Sequence, residues 1–235
     1  MSAELPLARN FYMIRHAETE DNKNKVVSGS ASETVLTDEG RRQAMETRQL
    51  LEKVEPPIDS IITSEKSRTV DTAKLISDSD ALRHVPHSID GGISERNYGA
   101  AEKMPDEERA KIKKSGKKIE GEESKESLRV RTVGAIAKSL CNHDGIPLFV
   151  SHGGNIKRVL EHILGENTAE RERLTNCTLY EFVAPKEKGD GWKVNVLELD
   201  NNKEITRRHF GEKTSIVHRL GSRSSSKESE IGNTL

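Results

Sequence analysis

Three short apolar runs along the chain each lead to a basic or imidazole side chain. Phe11-Tyr12-Met13-Ile14 stops on Arg15-His16, and Pro147-Leu148-Phe149-Val150 leads into Ser151-His152-Gly153-Gly154. Ile58-Asp59-Ser60-Ile61-Ile62-Thr63-Ser64 is followed closely by Arg68. Apolar stretches of this length fit strands buried on both faces, as in a parallel sheet. Between them the period changes to that of a helix. Ala44, Leu51 and Val54 share a face behind a Thr37 cap, predicting a helix to Val54 that Pro56-Pro57 stops. Val70, Ala73 and Ile76 predict a helix from Ser67 to about Ser77. Leu128, Val133, Ile136, Ala137 and Leu140 predict one ending near Cys141, and Ile156, Val159, Leu160 and Ile163 one that begins just after His152. Thr178–Ala184 and Trp192–Leu199 read as two further strands joined through Pro185–Gly191.

The stretches between these elements are of a different kind. Some twenty residues after His16 are rich in Asn, Ser, Glu and Lys, a loop long enough to fold over a ligand. Asp78–Gly92 is broken and turn-like. Residues 100–122 carry many charges of both signs and few large apolar side chains, and read as a mobile cap over the sheet edge. Its lysines at 111, 113, 114, 117 and 118 either form a solvated face or steer an anion. The apolar pattern fades from Asn201, so residues 1–200 are read as the domain and 201–235 as an extension, disordered from Gly221.

If the three runs lie parallel, Arg15, His16, Arg68 and His152 converge at one edge, where open α/β sheets bind ligands. Two guanidinium groups and two imidazoles at one place suit a phosphate. Singly, each histidine reads better as a structural one. His84 and His87 flank Pro86 and read as a solvated loop, and Cys141-Asn142-His143-Asp144 as a helix exit, so neither suggests a metal site.

The ordered motifs resemble the histidine phosphatase superfamily, which includes the cofactor-dependent phosphoglycerate mutases. Arg15-His16-Ala17-Glu18-Thr19 with Asn22 is similar to its R-H-G-E-T signature, and Leu36-Thr37, Gly40 and Ala44 to the stretch that opens its first helix. Ser64, Arg68, Thr72 and Ala73 match the second-arginine segment, Ser94-Glu95-Arg96-Asn97-Tyr98-Gly99 the acid segment, and Val150–Gly154 the second-histidine motif; Asn176 is a further match. The resemblance implies a three-layer α/β/α fold with a mostly parallel mixed sheet. It also implies that His16 is the phosphorylated nucleophile, Glu95 the general acid, and Arg15, Arg68 and His152 the phosphate ligands. Substrate contacts are expected from Asn22, Ser28, Gly29, Tyr98 and Gly153. Ala17 stands where the family commonly has glycine, which would strain the loop if that position needed positive φ.

The implied reaction is hydrolysis of a phosphate monoester through a phosphohistidine, with no cofactor and no metal. Alternatives are mutase-type transfer, a phosphoprotein phosphatase, and a phosphate-binding protein without turnover. The segment Tyr98–Leu128 lacks the paired arginines followed by serine that the mutases carry there, which favours hydrolysis.

Composition narrows the partners. Among 235 residues, 38 basic and 39 acidic side chains leave a formal charge of -1, giving no net field toward nucleic acid or an anionic membrane. Eight aromatic residues (four Phe, three Tyr, one Trp) supply few stacking platforms. No apolar run is long enough to span a bilayer, and the first ten residues lack the pattern of a secretory signal. Cys141 and Cys177 read as free thiols of a reducing compartment, so a soluble cytoplasmic protein acting on a phosphorylated small molecule is expected. Its oligomeric state is left open.

Overall fold

A computed structural model describes residues 9–142, 144–166, 172–187 and 189–211. Most of the expected leader, His143 and the C-terminal tail from Glu212 lie outside the described residues. The strands are β1 (Phe11–Arg15), β2 (Ser60–Thr63), β3 (His87–Ile89), β4 (Pro147–Ser151), β5 (Leu179–Val183), β6 (Lys193–Leu199) and β7 (Ile205–His209). The helices are α1 (Glu20–Lys23), α2 (Asp38–Leu51), α3 (Ser67–Ser77), α4 (Asp106–Lys114), α5 (Lys125–Asn142) and α6 (Gly153–Leu164). The strands form one sheet in the order β3-β2-β4-β1-β5-β6-β7. β3, β2, β4 and β1 are parallel, and β5, β6 and β7 add successively antiparallel.

Alternation along β1 explains the three layers. Phe11 and Met13 enter a core shared with Ile136 of α5 and Val159 of α6, while Tyr12 and Ile14 face Ala44 and Leu51 of α2 and Ala73 and Ile76 of α3. Phe11 stacks on Phe182 with centroids 4.5 Å apart and meets Phe149 edge-on at 5.8 Å, tying β5 and β4 to β1. With helices on both faces, β1, β2 and β4 have almost no solvent-facing side, which accounts for their continuous apolar runs.

The pattern missed the elements that bury little. β3 is three exposed residues, held by pairing with β2, within the stretch read as turn-like. The sheet continues past residue 200: Ile205–His209 pairs with β6, and Phe210 is buried in the core. Only Ile205 and Arg208 of the five residues of β7 are even partly buried, so only pairing identifies it. The charged cap contains α4, with acidic residues in its first turn, basic ones in its last and no buried residue. It is tied down by a Val26–Pro105 bridge, a Tyr98–Glu122 bridge and an Arg109–Glu122 ion pair of 2.6 Å. α2 ends at Leu51, three residues short of the predicted Val54, although Val54 is still buried.

Candidate active site

Strand register assembles the site. Arg15 lies opposite Ser151 and Thr63 opposite Val150, so His16, Ser64 and His152 leave three neighbouring strands side by side. The His16 amide donates to Ser151 O at 2.9 Å, and the two imidazole centroids are 5.3 Å apart. Arg68 enters from the first turn of α3.

The loop after β1 is held from three directions. Asn176 Nδ2 donates to His16 O at 2.7 Å and to Asn22 Oδ1 at 3.1 Å, Ala17 N donates to Thr72 Oγ1 at 3.0 Å, and Glu18 N to Gln43 Oε1 at 3.0 Å. Ala17 is fully buried and is not among the residues with positive φ, so its methyl group packs into the core without strain. His16 Nδ1 lies 2.8 Å from Ala17 O. A carbonyl only accepts, so Nδ1 carries the proton and Nε2 keeps its lone pair. Burial first, then the charges of Arg15 and Arg68, push His16 well below its ordinary value of 6.5 and keep it neutral.

His152 is fully buried. Arg68 Nε donates to its Nδ1 at 3.3 Å, so its proton sits on Nε2 and points to Ser64 Oγ at 2.8 Å. Burial, followed by Arg68, holds this imidazole neutral as well. The Arg68 guanidinium is 1% exposed and donates to Ser32 O at 2.9 Å and Gly29 O at 3.1 Å, which leaves one further N–H on each terminal nitrogen. Arg15 Nη1 donates to Leu174 O at 2.9 Å, while its buried Nε has no hydrogen-bond partner among the described residues. A buried, unsatisfied guanidinium N–H beside a neutral imidazole is the donor an anion needs.

Glu95 completes the cluster. Its carboxyl accepts from Arg96 N at 2.8 Å, and burial raises its pKa against the lowering pull of that bond and of Arg68, Arg15 and Arg131. A Cβ on Gly154 would stand 2.5 Å from Glu95 Oε1, so glycine is needed for the carboxyl to approach α6. At Gly153 an added Cβ would meet the Arg15 side chain at an ordinary 3.6 Å. A cavity of about 430 Å³ opens beside Glu95, bordered also by Ser94, Asn97, Glu123 and Arg131. Another cleft, of about 410 Å³ between α2 and β6, has no basic side chain in its wall and does not suit an anion.

The other expected contacts are placed less directly. Gly29 reaches the cluster through its carbonyl on Arg68, and Asn22 through Asn176. Ser28 Oγ is buried with no hydrogen-bond partner among the described residues. Tyr98 stacks under Arg109, whose Cζ is 4.2 Å from the ring centroid, and its hydroxyl pKa is raised first by Glu95 and then by burial. Sequence reasoning passed over Arg131, Glu123 and Asn155, which hold the Glu95 segment. An arginine in a charged helical stretch ordinarily reads as solvated, and only the adjacent buried positions Leu128 and Thr132 hint otherwise.

The model of the histidine phosphatase superfamily (branch 1) matches residues 11–199. The chain belongs to this superfamily. Among curated relatives it is 30% identical over 192 residues to the Uncharacterized phosphatase PhoE of Bacillus subtilis, covering 81% of this chain and 94% of that protein. It is 34% identical over 181 residues to the Probable phosphoglycerate mutase GpmB of Yersinia enterocolitica, covering 72% and 81%. The solved mycobacterial glucosyl-3-phosphoglycerate phosphatase Rv2419c, in complex with VO3, has the same fold at a TM-score of 0.68 and 20% identity, over 80% of this chain and 98% of that one. This histidine phosphatase superfamily member is thus a phosphoglycerate mutase-like α/β protein. No helix among its described residues is long and apolar enough to cross a membrane.

Proposed function

We propose that the chain is a phosphatase that hydrolyses a small phosphate monoester through a phosphohistidine on His16. The observation that carries the reading is the neutral His16, whose Nε2 is left free by the Ala17 carbonyl between two guanidinium groups. In the first step Nε2 attacks phosphorus and the P–O bond to the leaving group breaks, while Glu95 gives its proton to the departing oxygen. In the second, water loses a proton to the Glu95 carboxylate and attacks, and the P–N bond breaks to return the lone pair to Nε2. Arg15 Nε and the spare Arg68 N–H groups hold the phosphoryl oxygens throughout. His152 joins them by turning its Nε2–H from Ser64 Oγ to an equatorial oxygen. The raised pKa of Glu95 supplies the acid form, and a dianionic substrate would raise it further by like-charge repulsion. We read Asn22, Ser28, Gly29, Tyr98 and Gly153 as the substrate rim.

The test is phosphate release from a panel of phosphorylated metabolites and peptides, with quenching in alkaline detergent to trap labelled phosphoenzyme. Turnover and an acid-labile label that both vanish in His16→Ala support the reading; a fully active His16→Ala enzyme ends it. The mutase-named relative at 34% identity favours one second reading, return of the phosphoryl group to the substrate. Isomerisation of 3-phosphoglycerate faster than phosphate release would establish it.

A further inference from the structure

One side chain outside the phosphate cluster gathers the whole acid segment. Arg131 projects from α5 and grips the Glu123 carboxylate through two parallel bonds, Nε to Oε1 at 2.8 Å and Nη2 to Oε2 at 2.9 Å. Its remaining donors go to backbone carbonyls of the acid segment: Nη1 to Gly92 O at 3.0 Å and Ser94 O at 2.7 Å, and Nη2 to Glu95 O at 2.9 Å. Glu123 closes the loop from the other side, since its amide donates to Asn97 O at 2.8 Å and its carboxylate accepts from Asn97 N at 3.3 Å. Asn155 of α6 adds a bond from Nδ2 to Ser94 O at 2.9 Å. The guanidinium therefore fixes the backbone from which the Glu95 carboxyl hangs.

We propose that Arg131, oriented by Glu123, is the positioning residue for the Glu95 general acid. Its N–H groups are all committed to Glu123 and to the backbone of this segment; it sets where the carboxyl stands when the leaving group takes its proton. It also places a positive charge near Glu95, one of the forces that hold that carboxyl's pKa down. This rests on the reading of Glu95 as the acid.

Leaving-group dependence tests it, because p-nitrophenolate departs with little need of a proton whereas an alkoxide requires one. Arg131→Met, Arg131→Lys and Glu95→Gln are compared on p-nitrophenyl phosphate and on glycerol 3-phosphate. Arg131→Met should lower kcat on glycerol 3-phosphate roughly 10- to 100-fold more than on p-nitrophenyl phosphate, within the range that general acid catalysis supplies. KM should be little changed and the alkaline limb of the kcat profile should move to higher pH, with partial recovery in Arg131→Lys. In a Glu95→Gln background the same substitution should cost little more, as expected of residues that act as a unit. Equal losses on both substrates in Arg131→Met, beside a leaving-group-dependent loss in Glu95→Gln, would overturn the positioning role alone. No such dependence in Glu95→Gln would overturn the acid reading itself. Should Arg131→Met fail to fold, Glu123→Gln, which keeps the guanidinium and loses its orienting partner, carries the same comparison with a smaller effect in the same direction.

Discussion

The two halves of the sheet treat their charges differently. In the antiparallel wing of β5, β6 and β7, arginines pair with carboxylates: Glu181 accepts from Arg207 at 3.2 Å, besides Asn195 at 2.8 Å, and Arg208 pairs with Glu172. In the parallel half, the buried Arg68 and the partly buried Arg15 lie beside neutral imidazoles and backbone carbonyls, with one N–H unpartnered among the described residues and others spare. Neither guanidinium forms an ion pair among the described residues, although Glu95 acts on both from a distance, so much of the positive field is retained for a ligand. The wing's ion pairs close on themselves and serve the fold, whereas the parallel half keeps its field open at the strand ends.

This contrast can be broken from either side. The largest effect is expected at Glu95: Glu95→Gln should slow turnover of alkyl phosphates by about 100- to 10,000-fold, as measured by steady-state phosphate release, because the amide cannot deliver the proton. Next comes Gly154→Ala. The new Cβ would displace Glu95 Oε1, the far end of a flexible side chain, and not any backbone. The fold should keep its melting temperature while kcat falls by up to about 100-fold, the scale of an ångström-sized misplacement.

A third test uses pH. Both imidazoles have folded pKa values below their ordinary 6.5, so the unfolded chain takes up protons first as pH falls. Stability contributed by the neutral rings is complete above about pH 6.5 and is lost below it, at up to roughly 1.4 kcal/mol per pH unit for each ring. Melting curves between pH 7 and 5 should show this decline, and His16→Asn should make it shallower. The smallest effect belongs to the wing: Glu181→Gln weakens a pair whose Arg207 side chain is 40% exposed, and should cost no more than about 1 kcal/mol with kcat unchanged. A large loss of activity there would show that the wing's charges serve the site after all.

Legibility in the sequence follows burial. β1, β2, β4 and helices α2, α3, α5 and α6 were readable because each must fill a core on at least one side, and burial imposes a period on side-chain chemistry. β3, β7 and α4 bury too little to carry that imprint; neighbours and ion pairs hold them instead. The candidate phosphate cluster was readable for another reason, since Arg15, His16 and His152 sit directly at the ends of apolar runs. Arg131 was not, because nothing in an arginine on a charged helix says that it turns inward to three carbonyls.

By itself the order of residues determined which segments become strands and helices, and which polar groups stand where those segments end. These are local matters, governed by the spacing of apolar side chains and by a few capping and breaking residues. Only the folded chain decided the register that brings His16 within 5.3 Å of His152, the neutral state of both rings, the unpartnered Arg15 Nε and the grip of Arg131 on the acid segment. Each depends on distance and dielectric between residues remote in sequence, and those quantities exist only after the sheet has closed its core.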